Sequence, residues 1–240
     1  MNKISDGYQI PCHVAMIMDG NARWAKKHGK EKLVGYQEGM RTAKDIISYS
    51  KRIGIKYLTL FIFSLENWQR PHSDVKIIMS LLREYLIDNV SDLLSEDMEI
   101  SFIGNLSRLD KDIRDQIIHI AEASKKPRYE FKLRLAISYG ARNEIMNSVV
   151  ALIQKYQKKQ YHLNQKHIEK SFLSLLNVDN FPELDLLIRT SGEYRLSNFL
   201  LWELAYTELI FVNKLWPEFT HIDLHEAVNI FNMRNRRFGK

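Results

Sequence analysis

The chain reads Val14-Ala15-Met16-Ile17-Met18 and continues at once with Asp19-Gly20-Asn21-Ala22-Arg23-Trp24-Ala25. Five apolar residues in a row are typical of a short strand that is buried on both faces. The polar residues after them have the chemistry of a tight turn, and a helix is predicted to follow. A buried strand that leads through a turn into a helix indicates an α/β fold with a parallel sheet.

The same alternation of short strands and longer helical segments continues along the chain. We predict six strands, at Val14 to Met18, Tyr57 to Phe63, Glu99 to Ile103, Phe131 to Ser138, Leu184 to Thr190 and Leu209 to Val212. No internal repeat and no change in composition marks a domain boundary. The sequence therefore predicts one α/β domain over residues 1–240, with a central, mostly parallel sheet of about six strands flanked by helices.

Apolar residues at helical spacing predict the helices between these strands. One helix runs from about Met40 to Ile53 and ends at Gly54, a residue that tolerates the backbone of a helix C-terminus. The segment from Ser73 to about Ser95 is the longest helical candidate, and it either packs in the core or lines an apolar ligand cavity. Near the C-terminus, Asp223 is a candidate cap for the last helix.

The composition is that of a folded protein that carries a net positive charge. The 240 residues include 35 Lys and Arg against 29 Asp and Glu, so the net charge is +6, and the isoelectric point is near 9.2. This balance suits nucleic acid, an anionic membrane surface or phosphorylated small molecules. Cys12 is the single cysteine, which excludes an intramolecular disulfide and fits a reducing compartment.

Membrane spans and export signals are not predicted. No run approaches the roughly 18 to 20 apolar residues that cross a bilayer, and the first seven residues lack the apolar stretch of a signal peptide. We therefore expect a cytoplasmic location.

Polar residues follow several of the predicted strands, where ligands bind in open α/β sheets. Asp19 and Arg23 at the end of the first strand predict a phosphate and metal corner, although Asp19-Gly20-Asn21 is also ordinary turn chemistry. At the end of the fifth strand, Arg189, Arg195 and Ser197 are candidates for a second anion site, and the alternative for each arginine is a surface ion pair. The segment that begins Tyr139-Gly140-Ala141-Arg142 either caps a helix or braces this site.

Several common sites are excluded by the sequence. The eight histidines include one pair at HxxxH spacing, His221 and His225, but no second cysteine and no third histidine nearby complete a zinc site, so a bound metal would be a hard cation with oxygen ligands, such as Mg²⁺. The GxxxxGK[ST], GxGxxG and GxSxG motifs are all missing. The sequence therefore does not support a function that depends on one of these common nucleotide-binding or acyl-transfer motifs.

Three segments resemble the cis-prenyltransferases, in particular the bacterial undecaprenyl diphosphate synthases. They are Pro11 to Ala25, then Phe63-Ser64-Leu65-Glu66-Asn67-Trp68-Gln69-Arg70-Pro71, and Asp185 to Trp202 with its continuation to Pro217. The resemblance covers Pro11 to Gly239 with the motifs in the order of the family.

The resemblance implies a Mg²⁺-dependent enzyme that condenses isopentenyl diphosphate with an allylic diphosphate, typically farnesyl diphosphate. The expected product is undecaprenyl diphosphate, about eleven isoprene units long, for the lipid carrier of cell-wall synthesis. The chain would grow into an apolar tunnel partly walled by the helix around Ile77 to Leu94. A homodimer and peripheral contact with the membrane are also expected.

Two alternatives remain at this point. One is a shorter product of the same chemistry. The other is a basic nucleic-acid-binding protein, motivated by the isoelectric point and the tail Arg234-Asn235-Arg236-Arg237. No recognition motif supports the second alternative, and the aromatic residues do not alternate with a basic stripe, so we expect no nucleic-acid partner.

The family roles can be transferred to individual residues of this chain. Asp19 would act at the Mg²⁺ ion and the diphosphate, Asn67 near the reacting ends, and Glu208 as a second metal ligand. The expected substrate-binding residues are Gly20, Asn21, Arg23, Trp24, Lys32, Tyr36, Ser64, Trp68 and Arg70 on the allylic side and around the reacting ends, with Arg189, Arg195 and Ser197 for isopentenyl diphosphate. The proton acceptor is left open among Asp19, Asn67 with Ser64, and the diphosphate itself.

This sequence departs from the family pattern at three positions. Ala22 and Ala141 replace frequent glycines, and Tyr36 replaces the histidine of a Gly-His-x-x-Gly segment. A phenol can form hydrogen bonds but cannot become cationic, so a proton-carrying role at Tyr36 is in doubt. The chain keeps a C-terminal Arg237-Phe238-Gly239 element, from which we expect a homodimer whose tails complete each other's sites.

Overall fold

The computed structural model describes residues 9–88, 90–95, 97–125, 128–157, 164–176 and 181–234. A six-stranded sheet, in which all neighbouring strands are parallel, has the order β3-β4-β2-β1-β5-β6. Its strands are β1 His13–Ile17, β2 Tyr57–Ser64, β3 Glu99–Ile103, β4 Lys132–Tyr139, β5 Leu186–Arg189 and β6 Glu208–Phe211. The predicted fold class and all six strands are confirmed, with ends that differ by at most two residues.

Eight α-helices flank the sheet in the described part of the chain. They are α1 Asn21–Lys27, α2 Lys32–Ile53, α3 His72–Arg83, α4 Val90–Ser95, α5 Lys111–Ala123, α6 Ala141–Gln157, α7 Gln165–Leu175 and α8 His221–Met233. None of the helices in the described ranges is both long and apolar enough to cross a membrane.

Both faces of the sheet are buried. Along β1, Val14 and Met16 pack into one hydrophobic cluster, while Ala15 and Ile17 pack into another. Successive side chains of a strand point to opposite faces, so an unbroken apolar run is needed when both faces are covered. Full burial of one large aliphatic side chain contributes about 1.5 to 3 kcal/mol, which makes these clusters the main source of stability.

The predicted long helix from Ser73 to about Ser95 is not one regular helix. α3 ends at Arg83, a π-helical turn covers Glu84–Asp88, and α4 starts at Val90. The longest helix is instead α2, with 22 residues, which ends as predicted at Gly54 in the left-handed conformation. A π turn holds an extra residue per turn, so it rotates the apolar face of the helix relative to the sheet. As a result Tyr85 lines a cavity while Leu86 is fully buried in the core.

The cap of α8 also differs from the prediction. Thr220 is the N-cap residue, and Asp223 is the third residue of the helix. The Asp223 carboxylate accepts a hydrogen bond from the Thr220 backbone N–H at 2.8 Å and is paired with Lys214 Nζ at 2.6 Å. This capping box satisfies N–H groups that the start of a helix leaves without partners.

Candidate active site

A polar pocket of about 1010 Å³ lies at the carboxyl ends of β1, β2 and β5. Parallel strands end at one edge of the sheet, so the segments that follow them meet there. The charged and polar residues that line it are Asp19, Asn21, Arg23, Tyr36, Ser64, Glu66, Asn67, Arg70, Asp74, Arg142, Arg189, Glu193, Arg195, Ser197 and Asn198.

Asp19 is held between two arginines that come from different elements. Its Oδ1 lies 3.1 Å from Arg23 Nη2, and Arg189 Nη2 donates to its Oδ2 at 3.0 Å. The hydroxyls of Thr190 and Ser191 both donate to the Asp19 backbone carbonyl at 2.7 Å. The carboxylate is therefore fixed at the point where β1 and β5 end.

The start of α1 lines the pocket because α1 packs closely on α2. Gly35 and Gly39 of α2 face Asn21, and a Cβ atom on either glycine would collide with Asn21 backbone or side-chain oxygen. Asn21 Oδ1 is buried, and it finds no hydrogen-bond partner among the residues that the structure describes. Close packing against α2 therefore fixes the position of Asn21, which also lines the pocket.

Arg189 is a buried arginine at the end of β5, with a side chain that is only 4% exposed. It donates to Ser197 Oγ at 2.7 Å and to the Arg195 backbone carbonyl. Ser197 and Asn198 have φ values of 51° and 60°, which non-glycine residues adopt rarely. Such conformations persist where surrounding contacts hold them, and here those contacts shape the pocket wall.

Glu193 lies between two of the exposed arginines of the pocket, Arg23 and Arg195. Arg23 Nη1 donates to Glu193 Oε1 at 2.7 Å, and Arg195 Nη1 donates to Glu193 Oε2. Together with the contacts of Asp19, this gives an alternating row of charges in the order Arg195, Glu193, Arg23, Asp19, Arg189. Three guanidinium groups are therefore held together by two carboxylates.

The end of β2 contributes a compact turn to the opposite wall. The Ser64 N–H donates to Asn67 Oδ1, and the Asn67 N–H donates to Ser64 Oγ, both at 3.2 Å. Arg70 Nη1 donates to the Tyr36 hydroxyl at 3.2 Å, which links this turn to α2. The substituted residue Tyr36 therefore accepts a hydrogen bond from a pocket arginine.

An apolar cavity of about 120 Å³ adjoins the polar pocket. Both are lined by the same junction residues, which are Met18, Asn21, Tyr36, Phe61, Ile62 and Ile78. Beyond the junction the cavity is walled by apolar residues of α2 and α3, such as Ala43, Leu81 and Leu82. The arrangement suits a ligand with an anionic head and a hydrocarbon chain.

The structure brings most of the predicted site residues to the polar pocket. Asp19, Gly20, Asn21, Arg23, Tyr36, Ser64, Asn67, Arg70, Arg189, Arg195 and Ser197 all line it. Ala22, one of the departures from the family pattern, lines it as well.

Three predicted substrate-binding residues do not line the pocket but support residues near it. Lys32 Nζ pairs with the carboxylate of Asp74, a lining residue, at 2.8 Å. Trp68 Nε1 donates to Ser138 Oγ at 2.9 Å, and Trp24 packs its ring against His28.

Glu208 is separated from Asp19 within one chain, so the two cannot share a metal ion there. Glu208 begins β6 and is in register with Leu186 and Val14, five residues before Asp19 along the β1 direction. At about 3.3 Å per residue, the two side chains lie at opposite ends of the strands, more than about 10 Å apart. The Glu208 carboxylate instead accepts a hydrogen bond from Arg234 Nη1 at 2.7 Å.

Five charged or polar lining residues were not among the predicted site residues, namely Glu66, Asp74, Arg142, Glu193 and Asn198. Asn198 joins two walls, because its Oδ1 accepts from the Arg142 N–H at 2.9 Å and its Nδ2 donates to Glu66 at 2.8 Å. Four of the five lie in the segments that follow strands, which was the signal that could have identified them. Asp74 lies in the first turn of α3.

Comparison with known proteins identifies the family. The family model described as "Putative undecaprenyl diphosphate synthase" matches residues 17–239. An isoprenyl transferase of Aquifex pyrophilus is 44% identical over 97% of this chain and 97% of its own length. The ditrans,polycis-undecaprenyl-diphosphate synthase ((2E,6E)-farnesyl-diphosphate specific) of Micrococcus luteus is 39% identical over 96% of this chain and 92% of its own.

A solved structure gives the same result. Lavandulyl diphosphate synthase from Lavandula x intermedia, in complex with dimethylallyl diphosphate, has a TM-score of 0.88 and 34% identity, and covers 96% of this chain and 98% of its own. The chain belongs to the undecaprenyl diphosphate synthase family of prenyltransferases. The predicted family and enzyme class are confirmed.

Proposed function

We propose that this prenyltransferase condenses isopentenyl diphosphate with an allylic diphosphate and repeats the step to build a long cis-polyprenyl chain. The observation that carries the proposal is the junction of two cavities of different chemistry. Five arginines line the polar pocket, and the cavity that adjoins it is apolar. Guanidinium groups match the oxygens of a diphosphate, and an apolar cavity matches an isoprenoid chain.

The polar pocket offers positions for two diphosphates. Asp19 and Arg23 lie beside the junction with the apolar cavity, which suits the allylic substrate, whose chain must enter that cavity. Arg189, Arg195 and Ser197, in and after β5, lie next to this position and suit isopentenyl diphosphate. The relative from Micrococcus luteus is named as farnesyl-diphosphate specific, which supports farnesyl diphosphate as the first allylic substrate.

The reaction has a simple balance of bonds and charges. The allylic C–O bond breaks and its electron pair leaves with the diphosphate, while a new C–C bond forms to the terminal alkene carbon of isopentenyl diphosphate. The addition leaves a cation on the methyl-bearing carbon of the isopentenyl unit. This cation loses a proton from the neighbouring methylene carbon on the diphosphate side, which forms the new double bond. Arginines fixed around the leaving group stabilise the negative charge that develops there. The proton acceptor is Asp19, Asn67 with Ser64, or the diphosphate itself.

The residues present fit Mg²⁺ bound jointly by protein and substrate. In the described residues no three His, Cys, Asp or Glu side chains come close enough to bind a metal ion by themselves. Mg²⁺ is commonly held by one or two carboxylates together with substrate phosphates and water. Asp19 supplies such a carboxylate on the pocket wall. When bound, Mg²⁺ would neutralise charge on the leaving diphosphate.

We further propose a homodimer and a product of about eleven isoprene units, made for the lipid carrier of cell-wall synthesis, with release at the membrane surface. Support for the dimer comes from the edge strand β6, whose outer edge has no strand neighbour in the described sheet. Exposed Trp202 and Tyr206 lie just before this strand. The tail element Arg237 to Gly239 lies outside the described residues.

The direct test is incubation with farnesyl diphosphate, labelled isopentenyl diphosphate and Mg²⁺, followed by butanol extraction and sizing of the products. We expect labelled polyprenyl products, and their length distinguishes a long-chain from a short-chain synthase. Protein with Asp19→Ala, purified in parallel, controls for host enzymes. Extracted label no higher than in this control would overturn the proposal.

A further inference from the structure

Glu193 follows a turn whose backbone is fixed by hydrogen bonds to the segment after β6. Ser191 and Gly192 have φ values of 78° and 64°, which turn the chain back toward the pocket. The Ser191 N–H donates to the Lys214 carbonyl at 2.7 Å, and the Gly192 N–H donates to the Val212 carbonyl at 2.9 Å. The position of the Glu193 side chain is therefore set by the fold.

The three arginines in the row of charges around Asp19 and Glu193 are held in two different ways. Arg189 is almost fully buried and is fixed by Ser197 and Asp19. The side chains of Arg23 and Arg195 are 45% and 59% exposed. Among the described residues, Glu193 is the one side chain that joins these two exposed guanidinium groups.

Glu193 carries a negative charge at neutral pH. The hydrogen bond from Arg195 holds the pKa of its carboxyl below the ordinary value, and the charge of Arg23 acts in the same direction. Carboxylate and phosphate oxygens use the same guanidinium N–H donors. Diphosphates that bind to Arg23 or Arg195 therefore compete with Glu193 for the Nη1 donors of these arginines.

We propose that Glu193 is an internal anion that competes with diphosphate for Arg23 and Arg195, and so sets how tightly the pocket holds its substrate and product. This inference rests on the proposed function. Each elongation step produces a free diphosphate that has to leave before the next cycle. When it leaves the allylic position, Glu193 takes back the N–H donor of Arg23, and so favours release.

The test is calorimetric titration of inorganic pyrophosphate into the protein in magnesium-free buffer, which needs no catalytic activity. We expect Glu193→Gln to bind pyrophosphate about tenfold more tightly than the unmodified protein, because the amide keeps the shape of the side chain but not its charge. The matched control is Glu66→Gln. Glu66 lines the same pocket but accepts a hydrogen bond from Asn198, and we expect its change to alter the affinity less than about twofold.

The outcomes separate the two proposals. Equal affinities for the unmodified protein and Glu193→Gln would overturn the competition, while pyrophosphate binding itself would still support the proposed function. An equal gain in pyrophosphate affinity in Glu193→Gln and Glu66→Gln would overturn the competition as well, because the effect would then come from the general charge of the pocket. If none of the three proteins binds pyrophosphate, the competition is overturned, while the proposed function is decided separately by the product assay with Mg²⁺. Thermal unfolding of each variant confirms that it is folded.

Discussion

Asp19 shows how a single side chain can join elements that are far apart in sequence. It follows β1, yet its two oxygens face Arg23 of α1 and Arg189 of β5. An arrangement held by fixed arginines costs little reorganisation when charge develops beside it. A change at Asp19 should therefore act on the transition state more than on binding.

We predict that Asp19→Ala lowers kcat about 10³-fold, or about 4 kcal/mol, with only a modest change in KM for the allylic diphosphate. Steady-state kinetics with varied allylic substrate measures both constants. Asp19→Asn is the matched variant, because it keeps the volume of the side chain and removes the charge. A raised KM with an intact kcat would contradict the role given to Asp19.

A second prediction concerns Glu144 of α6. Burial raises the pKa of its carboxyl to about 7, the charge of Glu203 acts in the same direction, and Arg134 and the hydrogen bond from Tyr139, at 2.5 Å, oppose them. Because the folded protein then binds the Glu144 proton more tightly than the unfolded chain, this carboxyl stabilises the fold at pH 4.5 and below. That contribution is lost as the pH rises toward 7.

Glu144→Gln should therefore be more stable than the unmodified protein at pH 8, by about 2 kcal/mol, and nearly equal to it at pH 4.5. Urea unfolding at both pH values measures the difference. Glu169→Gln, at an exposed position on α7, is the control and should show no such dependence. A difference of the same size at both pH values would show that burial of the charge is not its cause.

At the scale of elements, the broken helix after α3 separates two residues that the sequence treats alike. Leu82 and Leu86 are four residues apart, and both would face the same side of a regular helix. In the structure Leu82 lines the apolar cavity, whereas Leu86 is fully buried in the core and does not line it. The two positions should respond differently to the same substitution.

We predict that Leu82→Trp shortens the polyprenyl product, because the indole extends into the cavity that would hold the growing chain. Leu86→Trp should instead lower stability by about 1 to 3 kcal/mol through overpacking and leave the product length unchanged. Product sizing and thermal unfolding of both variants test this pair. If a folded Leu82→Trp protein makes products of unchanged length, the growing chain does not pass Leu82 of α3, and the prediction is wrong.

The sequence was informative about elements because their patterns are local. The unbroken run from Val14 to Met18 identifies a strand buried on both faces, and parallel strands bring Asp19 and Arg189 to one edge. The π turn could not be predicted, because apolar residues at positions 78, 82, 86 and 90 fit a regular helix equally well. Contacts such as that between Glu66 and Asn198 join residues 132 positions apart and depend on the whole fold.

The metal role of Glu208 stays a prediction, because the register separates Glu208 from Asp19 only within one chain. A motif identifies the residue type and its order in the chain, but it does not say at which end of the strands the residue lies. Register places Glu208 with the starts of the strands, and its partner there is Arg234. Arg234, the last residue that the structure describes, therefore lies at this end of the strands and not beside Asp19.

At the scale of the whole molecule, the position of Arg234 beside β6 suggests how the tails of two copies would reach each other's pockets. β6 is an edge strand, and an exposed edge flanked by aromatic residues is a surface on which another chain can pack. In the proposed homodimer the tail of one copy, with Arg237, would bind isopentenyl diphosphate in the pocket of the other. Deletion of residues 237–240 should then raise KM for isopentenyl diphosphate and lower turnover without loss of folding or dimerisation.

The exchange of tails can be tested by mixing two proteins of low activity, one with Asp19→Ala and an intact tail, the other with Asp19 and no residues 237–240. If tails act between subunits, each hybrid dimer contains one site with both elements and one with neither. Random exchange makes half of the dimers hybrid, so activity should recover to about a quarter of the unmodified level. Mixing the Asp19→Ala protein with a chain that carries both changes is the control and should recover nothing. If mass spectrometry shows hybrid dimers but activity stays absent, each tail must serve its own subunit, because only then does every site lack one element.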